Sequence, residues 1–207
     1  MDPAALSTTA TAIGLPERTL RAFVFVESSG SGLTPAGPVI RMEVHKFWLF
    51  APSSVYPKID ARFRAKGPKP WEGHEWRPFA TEDNWWPMHQ PGDKGQRNEH
   101  VALELAKSID PEAAIRATSY GLGQVLGDNW RRLGFSSAVD FELHQRTEAG
   151  QVDTMGRFIA ADPELLKALR GLDFATAARR YNGRGQVAEY ARRLADAYRR
   201  AALGASG

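Results

Sequence analysis

A glutamate that could act as a proton donor lies at the end of an apolar helical stripe. The helical spacing i, i+3, i+4 and i+7 is occupied by Leu20, Phe23, Val24 and Glu27. A carboxylic acid keeps its proton near neutral pH only where apolar surroundings raise its pKa. The pattern therefore makes Glu27 a candidate general acid, the group that protonates the leaving oxygen when a glycosidic bond breaks. A helix-terminal glutamate bonded to loop amides would give the same pattern, so both interpretations stay open.

The segments after this glutamate bear on the same chemistry. Residues 28–32 read Ser-Ser-Gly-Ser-Gly, a loop whose small side chains would let a large substrate approach the acid. A second carboxylate follows at Glu43, which could position a water molecule as the second catalytic group. It could equally anchor His45 and an arginine in a buried structural pair. The spacing in sequence does not separate these roles.

Elements that could position these groups are mostly helical in the second half of the chain. The motif Asp-Pro-Glu occurs at 110–112 and at 162–164, where it predicts an N-cap, a proline at the first helical position and an acidic first turn. Gly171 predicts the end of the helix that begins after Asp162. Further helical stripes are formed by Val152, Met155 and Ile159, by Phe174, Ala177, Ala178 and Tyr181, and by Val187, Ala191, Leu194 and Tyr198.

Two segments of the first half follow no helical pattern. Residues 39–50 could hold a short strand or another helix, and the pattern does not decide. Residues 51–95 combine seven prolines with the tryptophans Trp71, Trp76, Trp85 and Trp86. Linkers rarely carry so many large rings, so this irregular excursion is expected to pack against the rest of the chain, or to offer some rings for stacking on sugars. The predicted architecture is mainly α, with one domain over residues 1–207.

Composition limits the classes of function. The chain of 207 residues contains no cysteine, which excludes disulfides, a thiolate nucleophile and a cysteine-ligated zinc site. Its first twenty residues lack a signal-peptide core and no run is long enough to span a bilayer, so synthesis in the cytoplasm without stable membrane association is expected. A target outside the membrane would then be reached after release or export. The net charge of +3 favours a polyanionic partner without choosing among cell wall, phospholipid and nucleic acid.

Other catalytic classes find little support in the motifs. A zinc-dependent amidase would need the histidines, but the sequence has no His-Glu-x-x-His pattern. The five histidines are therefore expected at the surface or as supporting residues, and neither a metal nor a cofactor is predicted. Nucleotide binding is disfavoured because neither glycine-rich phosphate motif occurs.

Three further motifs carry a resemblance to a known group of enzymes. Residues 26–30 read Val-Glu-Ser-Ser-Gly, residues 119–125 read Ser-Tyr-Gly-Leu-Gly-Gln-Val, and residues 181–183 read Tyr-Asn-Gly. Their order resembles the Glu-Ser, Gly-Leu-x-Gln and Tyr-Asn-Gly motifs of goose-type lysozymes and lytic transglycosylases. More closely, Met42 to Phe47 resembles the Phe-Glu-Arg-His-x-Phe element of the N-acetylmuramidases found in phage endolysins, although Tyr120 stands where that family usually has tryptophan. The likeness extends from about residue 6 to residue 198.

The resemblance implies a lysozyme-like helical fold and a peptidoglycan hydrolase. The enzyme would cleave the β-1,4 bond between N-acetylmuramic acid and N-acetylglucosamine, with the acid role carried onto Glu27. It would act as a monomer on bacterial glycan strands and not on nucleic acid. The residues implied to bind substrate or to shape the surroundings of the acid are Ser28, Ser119, Tyr120, Gly121, Gln124, Tyr181 and Asn182.

Two alternatives stay open beside this prediction. Attack by the sugar's own 6-hydroxyl would make the enzyme a lytic transglycosylase that yields 1,6-anhydro products. A non-catalytic wall-binding module would also use basic charge and exposed aromatic rings. Replacing Glu27 with glutamine distinguishes an enzyme from a binding module. The substitution would abolish the turnover of an enzyme, whereas it would leave the binding of a non-catalytic module intact.

Overall fold

The computed structural model describes residues 2–27, 31–183 and 185–202, without the side chains of Asn182 and Ala202. The chain forms two compact units. Met1–Gly32 with Thr147–Gly207 make the terminal unit, and Leu33–Arg146 make the central unit. A single domain over residues 1–207 stays a prediction.

Within the described residues, the helices in chain order are α1 (Pro3–Ile13), α2 (Glu17–Glu27), α3 (Val44–Phe50), α4 (Tyr56–Asp60), α5 (Gly92–Ile109), α6 (Pro111–Arg116), α7 (Ala138–His144), α8 (Glu148–Ala160), α9 (Pro163–Arg170), α10 (Phe174–Asn182) and α11 (Val187–Ala202). The strands are β1 (Leu33–Thr34), β2 (Gly37–Pro38), β3 (Ile40–Met42), β4 (Phe63–Ala65), β5 (His74–Trp76), β6 (Trp86–Pro87), β7 (Thr118–Tyr120) and β8 (Val125–Leu126). The prediction of a mainly α protein is confirmed. None of the described helices is long and apolar enough to cross a membrane.

The sequence predicted five helices of the terminal unit, α2 and α8 to α11, and did not predict α1. Asp162 caps α9 by accepting a hydrogen bond from the Leu165 amide, and Gly171 follows the last helical residue. Val152, Met155 and Ile159 are buried on α8, which packs against α1. Helix α11 packs against both α2 and α10. The helices therefore bury their apolar stripes on one another, as the periodicity requires.

The buried face of α11 differs from the predicted one. Tyr190, Leu194 and Ala197 are buried, whereas the sequence placed Val187, Ala191, Leu194 and Tyr198 on the inner face. Two apolar stripes overlap at Leu194, and the one that contains Tyr190 is buried where α11 packs against α2. The phenol ring of Tyr190 is therefore buried, although the predicted face of α11 did not include it.

The central unit combines helices with short strands. Asp110 caps α6 through the Ala113 amide, which confirms the second predicted helix start. Residues 39–50 contain both elements that the sequence left open, because β3 is followed directly by α3. Strand β3 pairs antiparallel with β7, and β7 pairs with β8, so the sheet order is β3-β7-β8.

The excursion over residues 51–95 is more regular than predicted. Strands β4, β5 and β6 form an antiparallel sheet in that order, and α4 precedes it. These strands could not be predicted from the sequence, because each is two or three residues long and lies among prolines. Trp76 is buried, and Trp85 lies beneath the guanidinium groups of Arg64 and Arg77, which belong to the excursion itself. The excursion meets the rest of the central unit through Phe63, which packs edge to face on Phe47. The remaining two rings, Trp71 and Trp86, are exposed.

Candidate active site

The carboxyl group of Glu27 lies at the end of α2, on the helical face that the sequence predicted. Leu20, Phe23 and Val24 are fully buried on that face, and Glu27 itself is half-buried. Phe23 meets Tyr181 edge to face, with ring centroids 4.8 Å apart. The apolar stripe therefore fixes α2 in the core and leaves its last carboxylate at the edge of that core.

Two tyrosine hydroxyl groups contact this carboxyl. Tyr190 from α11 donates a hydrogen bond to Glu27 Oε1, and the hydroxyl of Tyr181 from α10 also bonds to Glu27. The two phenol rings stack, with centroids 6.2 Å apart and planes inclined by 22°. Arg193, one turn beyond Tyr190, donates to the Val26 carbonyl over 2.8 Å and adds its positive charge to the site.

Opposing effects set the pKa of Glu27. Burial raises the pKa, and it outweighs the hydrogen bonds from Tyr190 and Tyr181 and the charge of Arg193, which lower it. Burial, reinforced by the neighbouring carboxylate, also raises the pKa of both tyrosines, so each stays a hydrogen-bond donor. The arrangement can hold a proton on Glu27 and can stabilise the carboxylate that remains after the proton leaves.

Sequence reasoning found part of this site. Glu27 and Tyr181 were singled out, and the structure brings them into contact. Tyr190 and Arg193 were missed, since both lie on the stripe of α11 that periodicity did not select. Ser28 lies outside the described residues. Asn182 is the last residue of α10, and its side chain is likewise outside the described part.

The other predicted sugar-binding residues belong to the central unit and surround the turn between β7 and β8. This turn joins two antiparallel strands. Gly121 and Gln124 have φ angles of 68° and 44°, and the Gly121 amide donates to the Val39 carbonyl over 2.8 Å. The Gln124 side chain donates to the carbonyls of Val39 and Gly121. The turn is therefore fixed to the loop before β3.

Exposure differs among these residues. Gln124 is exposed and Ser119 is half-buried. Tyr120, in contrast, is only 1% exposed and packs edge to face on Phe141. A ring in this position offers no free face to a sugar, so direct contact by Tyr120 stays a prediction that this conformation does not favour.

Glu43 has the partners of the structural alternative. Its Oε1 accepts from Arg41 Nε over 2.8 Å, and its Oε2 lies 3.7 Å from His45 Nδ1 and 3.5 Å from His74 Nδ1. These contacts match the predicted anchoring of His45 and an arginine. The role as second catalytic group stays a prediction.

One histidine is buried in the central unit. His74 is only 3% exposed, so of the two predicted positions, at the surface or as a supporting residue, it can have only the second. Together with Glu43 and His45 it forms a group in which one donor atom from each residue lies within 4.8 Å of the others, close enough to hold a metal ion. No local pattern signals this group, because its members come from distant parts of the central unit.

Comparison with known proteins identifies the family. A family model for N-acetylmuramidase matches residues 16–202. Among solved structures, the chain is similar to the one described as "Crystal structure of Burkholderia AP3 phage endolysin", with a TM-score of 0.74 and 27% identity over 98% of this chain and 72% of that chain. No curated protein matches significantly. With the family model covering most of its length, the chain belongs to the N-acetylmuramidase family, and it is a glycosidase that degrades peptidoglycan.

Proposed function

We propose that Glu27 is the general acid with which this enzyme cleaves the β-1,4 bond between N-acetylmuramic acid and N-acetylglucosamine. The observation that carries this assignment is the half-buried carboxyl group at the end of α2 with its raised pKa and its two phenol donors. A buried carboxylic acid keeps its proton at the pH where an exposed one has lost it. Glu27 can therefore protonate the glycosidic oxygen as the bond to the leaving sugar breaks.

The same neighbours stabilise the product of proton transfer. When Glu27 becomes a carboxylate, it accepts hydrogen bonds from Tyr190 and Tyr181 and lies in the field of Arg193. These interactions already exist before the proton moves, so they need no reorganisation during the reaction. Tyr190 and Tyr181 act as positioning residues, since they hold the carboxyl group and do not exchange protons with the sugar.

Water is the proposed nucleophile, and Glu27 can support its attack. Once deprotonated, the carboxylate can accept a proton from a water molecule that attacks the anomeric carbon, which restores the acid. Glu43 stays the sequence-based candidate for positioning this water. Its oxygens, however, face Arg41, His45 and His74, and these contacts support the structural role.

Sugar contacts are proposed for the turn after β7. The side chain of Gln124 is exposed, and Ser119 is accessible in part. Their hydroxyl and amide groups suit the hydroxyl and N-acetyl groups of the glycan. Gly121, Ser28 and Asn182 stay in the proposed set through the family motifs, and we propose that the enzyme acts as a monomer on glycan strands and has no nucleic-acid partner.

Mass spectrometry of fragments released from purified peptidoglycan tests the proposal. The parent is expected to release fragments with reducing muramic acid ends, and Glu27→Gln to release them about 10³-fold more slowly, the middle of the range for loss of a general acid. Glu17→Gln is the matched control, because Glu17 lies in the first turn of the same helix and pairs with Arg21. It should keep the parental rate. Fragments with 1,6-anhydro ends would instead identify a lytic transglycosylase.

Binding and stability distinguish loss of chemistry from loss of fold. Glu27→Gln should still bind insoluble wall material, and it should unfold at a higher temperature than the parent at neutral pH. The sign follows from linkage: a folded-state pKa above the unfolded one makes the parent less stable as pH rises above the unfolded value. The gain of the variant should therefore disappear in acid. Equal lysis by Glu27→Gln and the parent would overturn the assignment.

A further inference from the structure

Two imidazole side chains and one carboxylate side chain of the central unit face one another. Glu43 directly precedes α3, His45 lies in its first turn, and His74 is the first residue of β5. Their facing atoms are close: Glu43 Oε2 lies 3.5 Å from His74 Nδ1 and 3.7 Å from His45 Nδ1, and one donor atom from each of the three residues lies within 4.8 Å of the others. Ligands of one tetrahedral ion have similar separations, since each lies about 2 Å from the metal.

A count of protons gives a second, independent observation. The imidazole of His74 lies between the Pro70 carbonyl, 2.9 Å from Nε2, and His89 Nε2, 3.0 Å from Nδ1. The imidazole of His89 lies in turn 2.7 Å from the carboxylate of Glu99 through Nδ1. Three contacts thus need three protons, whereas two neutral imidazoles supply two. If His74 Nε2 donates its proton to the Pro70 carbonyl and His89 Nδ1 donates its proton to Glu99, then His74 Nδ1 and His89 Nε2 face each other with a lone pair on each nitrogen.

The carboxylate that orients His89 is itself fixed. Glu99 is 2% exposed, and its Oε1 also accepts from the His89 amide over 2.8 Å. Its Oε2 accepts from the Met42 amide over 3.3 Å. A histidine that ligates a metal usually donates its other ring proton to a carboxylate or a backbone carbonyl. His89 with Glu99, and His74 with the Pro70 carbonyl, both have this arrangement.

We propose that Glu43, His45 and His74 bind a divalent transition-metal ion, with His89 Nε2 as the fourth donor. Three imidazole nitrogens and one carboxylate oxygen form a donor set that suits Zn²⁺, and it is unlike the all-oxygen sets that bind Ca²⁺ and Mg²⁺. The positive ion replaces the missing proton between His74 and His89. A site with four protein ligands is closed, which is the mark of a structural metal.

The ion would join the beginning of α3 to the sheet of the Trp/Pro-rich excursion. His74 belongs to β5 and His89 follows β6, while Glu43 and His45 lie in the body of the central unit. The excursion has only two- and three-residue strands, which stabilise each other weakly. A bound ion would stabilise this region, and it would leave Glu27 as the acid whether or not it binds.

Metal titration of the whole protein tests this proposal. The protein is treated with a chelator, dialysed and titrated with Zn²⁺ alone, while bound metal is measured by elemental mass spectrometry and unfolding by calorimetry. About one zinc ion per chain and a higher unfolding temperature are expected. Co²⁺ in its place should give the intense visible absorption of tetrahedral coordination. A chain that binds no Zn²⁺, with an imidazolium at His74 or His89 detected by NMR, would overturn the proposal, because a proton would then fill the contact.

Variants locate the site. His45→Gln is the safest ligand substitution, since this side chain is partly exposed, and His89→Gln removes the fourth donor. Each should weaken Zn²⁺ binding by more than tenfold. His144→Gln is the control, because His144 belongs to the same unit and contacts Phe135 outside the group. Zinc bound equally by the parent and by all three variants would place the ion elsewhere and overturn the assignment.

Discussion

The two units are stabilised in different ways. The described part of the terminal unit consists of helices that bury apolar stripes on one another, and the acid and its phenol partners lie where three of these helices meet. The central unit combines helices with short strands, and one strand pair joins remote parts of the sequence. Ile40 of β3 pairs with Tyr120 of β7. Helical packing can be anticipated from periodicity, whereas the pairing of such short strands cannot.

Removal of one buried ring from each unit should give the largest effects. Phe23 is 1% exposed against Tyr181, and Phe63 is fully buried edge-on against Phe47. Phe23→Ala and Phe63→Ala should each lower the free energy of unfolding by about 3–5 kcal/mol, measured by urea denaturation. Only Phe23→Ala should shift the pH dependence of lysis, because Tyr181 depends on that ring for its position. A shift in both variants would weaken the contrast between the units.

Replacing one glycine of each unit with alanine compares the two units through a smaller change in stability. A Cβ at Gly127 would overlap the backbone carbonyl oxygen of Ile115, whereas one at Gly156 would meet a methyl group of Thr9. The backbone cannot move aside, but a threonine side chain can rotate, and alanine favours the helix at 156. Gly127→Ala should cost about 2–3 kcal/mol and Gly156→Ala about 1 kcal/mol in the free energy of unfolding. Equal costs would contradict this reasoning.

The two Asp-Pro-Glu helix starts provide a matched pair. Asp110→Ala in the central unit should cost about 1 kcal/mol of unfolding free energy as a lost N-cap. Asp162→Ala should cost more at neutral pH, because Asp162 also accepts from Arg180 over 2.6 Å. Burial acts to raise the pKa of Asp162, yet the Arg180 and Leu165 hydrogen bonds hold it below its ordinary value.

A lowered pKa fixes the sign of the pH dependence. The extra stability from Asp162 is present above its unfolded pKa and is lost as pH falls through the folded one. The excess cost of Asp162→Ala over Asp110→Ala should therefore shrink in acid, as followed by thermal unfolding at several pH values. If the excess cost of Asp162→Ala did not depend on pH, it would come from packing and not from the ion pair.

The smallest expected effect is a shift in the pH profile of lysis. Tyr190→Phe removes a hydrogen bond that lowers the pKa of Glu27, so the acid should keep its proton to higher pH. The alkaline limb of the pH–activity profile should shift to higher pH, with only a few-fold change in the maximal rate. Tyr198→Phe, on the same helix beside Arg18, should leave the limb in place. An unmoved limb in Tyr190→Phe would exclude Glu27 as the group that titrates there.

The extent of prediction differs between the candidate sites. Glu27 and Tyr181 could be singled out because the apolar stripe and the Tyr-Asn-Gly motif are local features. Tyr190 and Arg193 could not, since α11 carries two apolar stripes and only its contact with α2 selects one. The sequence could pair Glu43 with His45, which lie two residues apart. It could not add His74 and His89, because these come from β5 and from the loop after β6.

The sequence by itself determined most helices of the terminal unit, the caps at Asp110 and Asp162 and the position of the acid at the end of an apolar face, since these depend on residues within a few turns of one another. It also indicated the family through the order of three short motifs. Only the tertiary structure decided which groups surround Glu27, that the excursion forms a sheet and that Glu43, His45 and His74 converge. The physical reason is that pKa values, strand pairs and ligand sets depend on distances between remote parts of the chain, which local patterns do not encode.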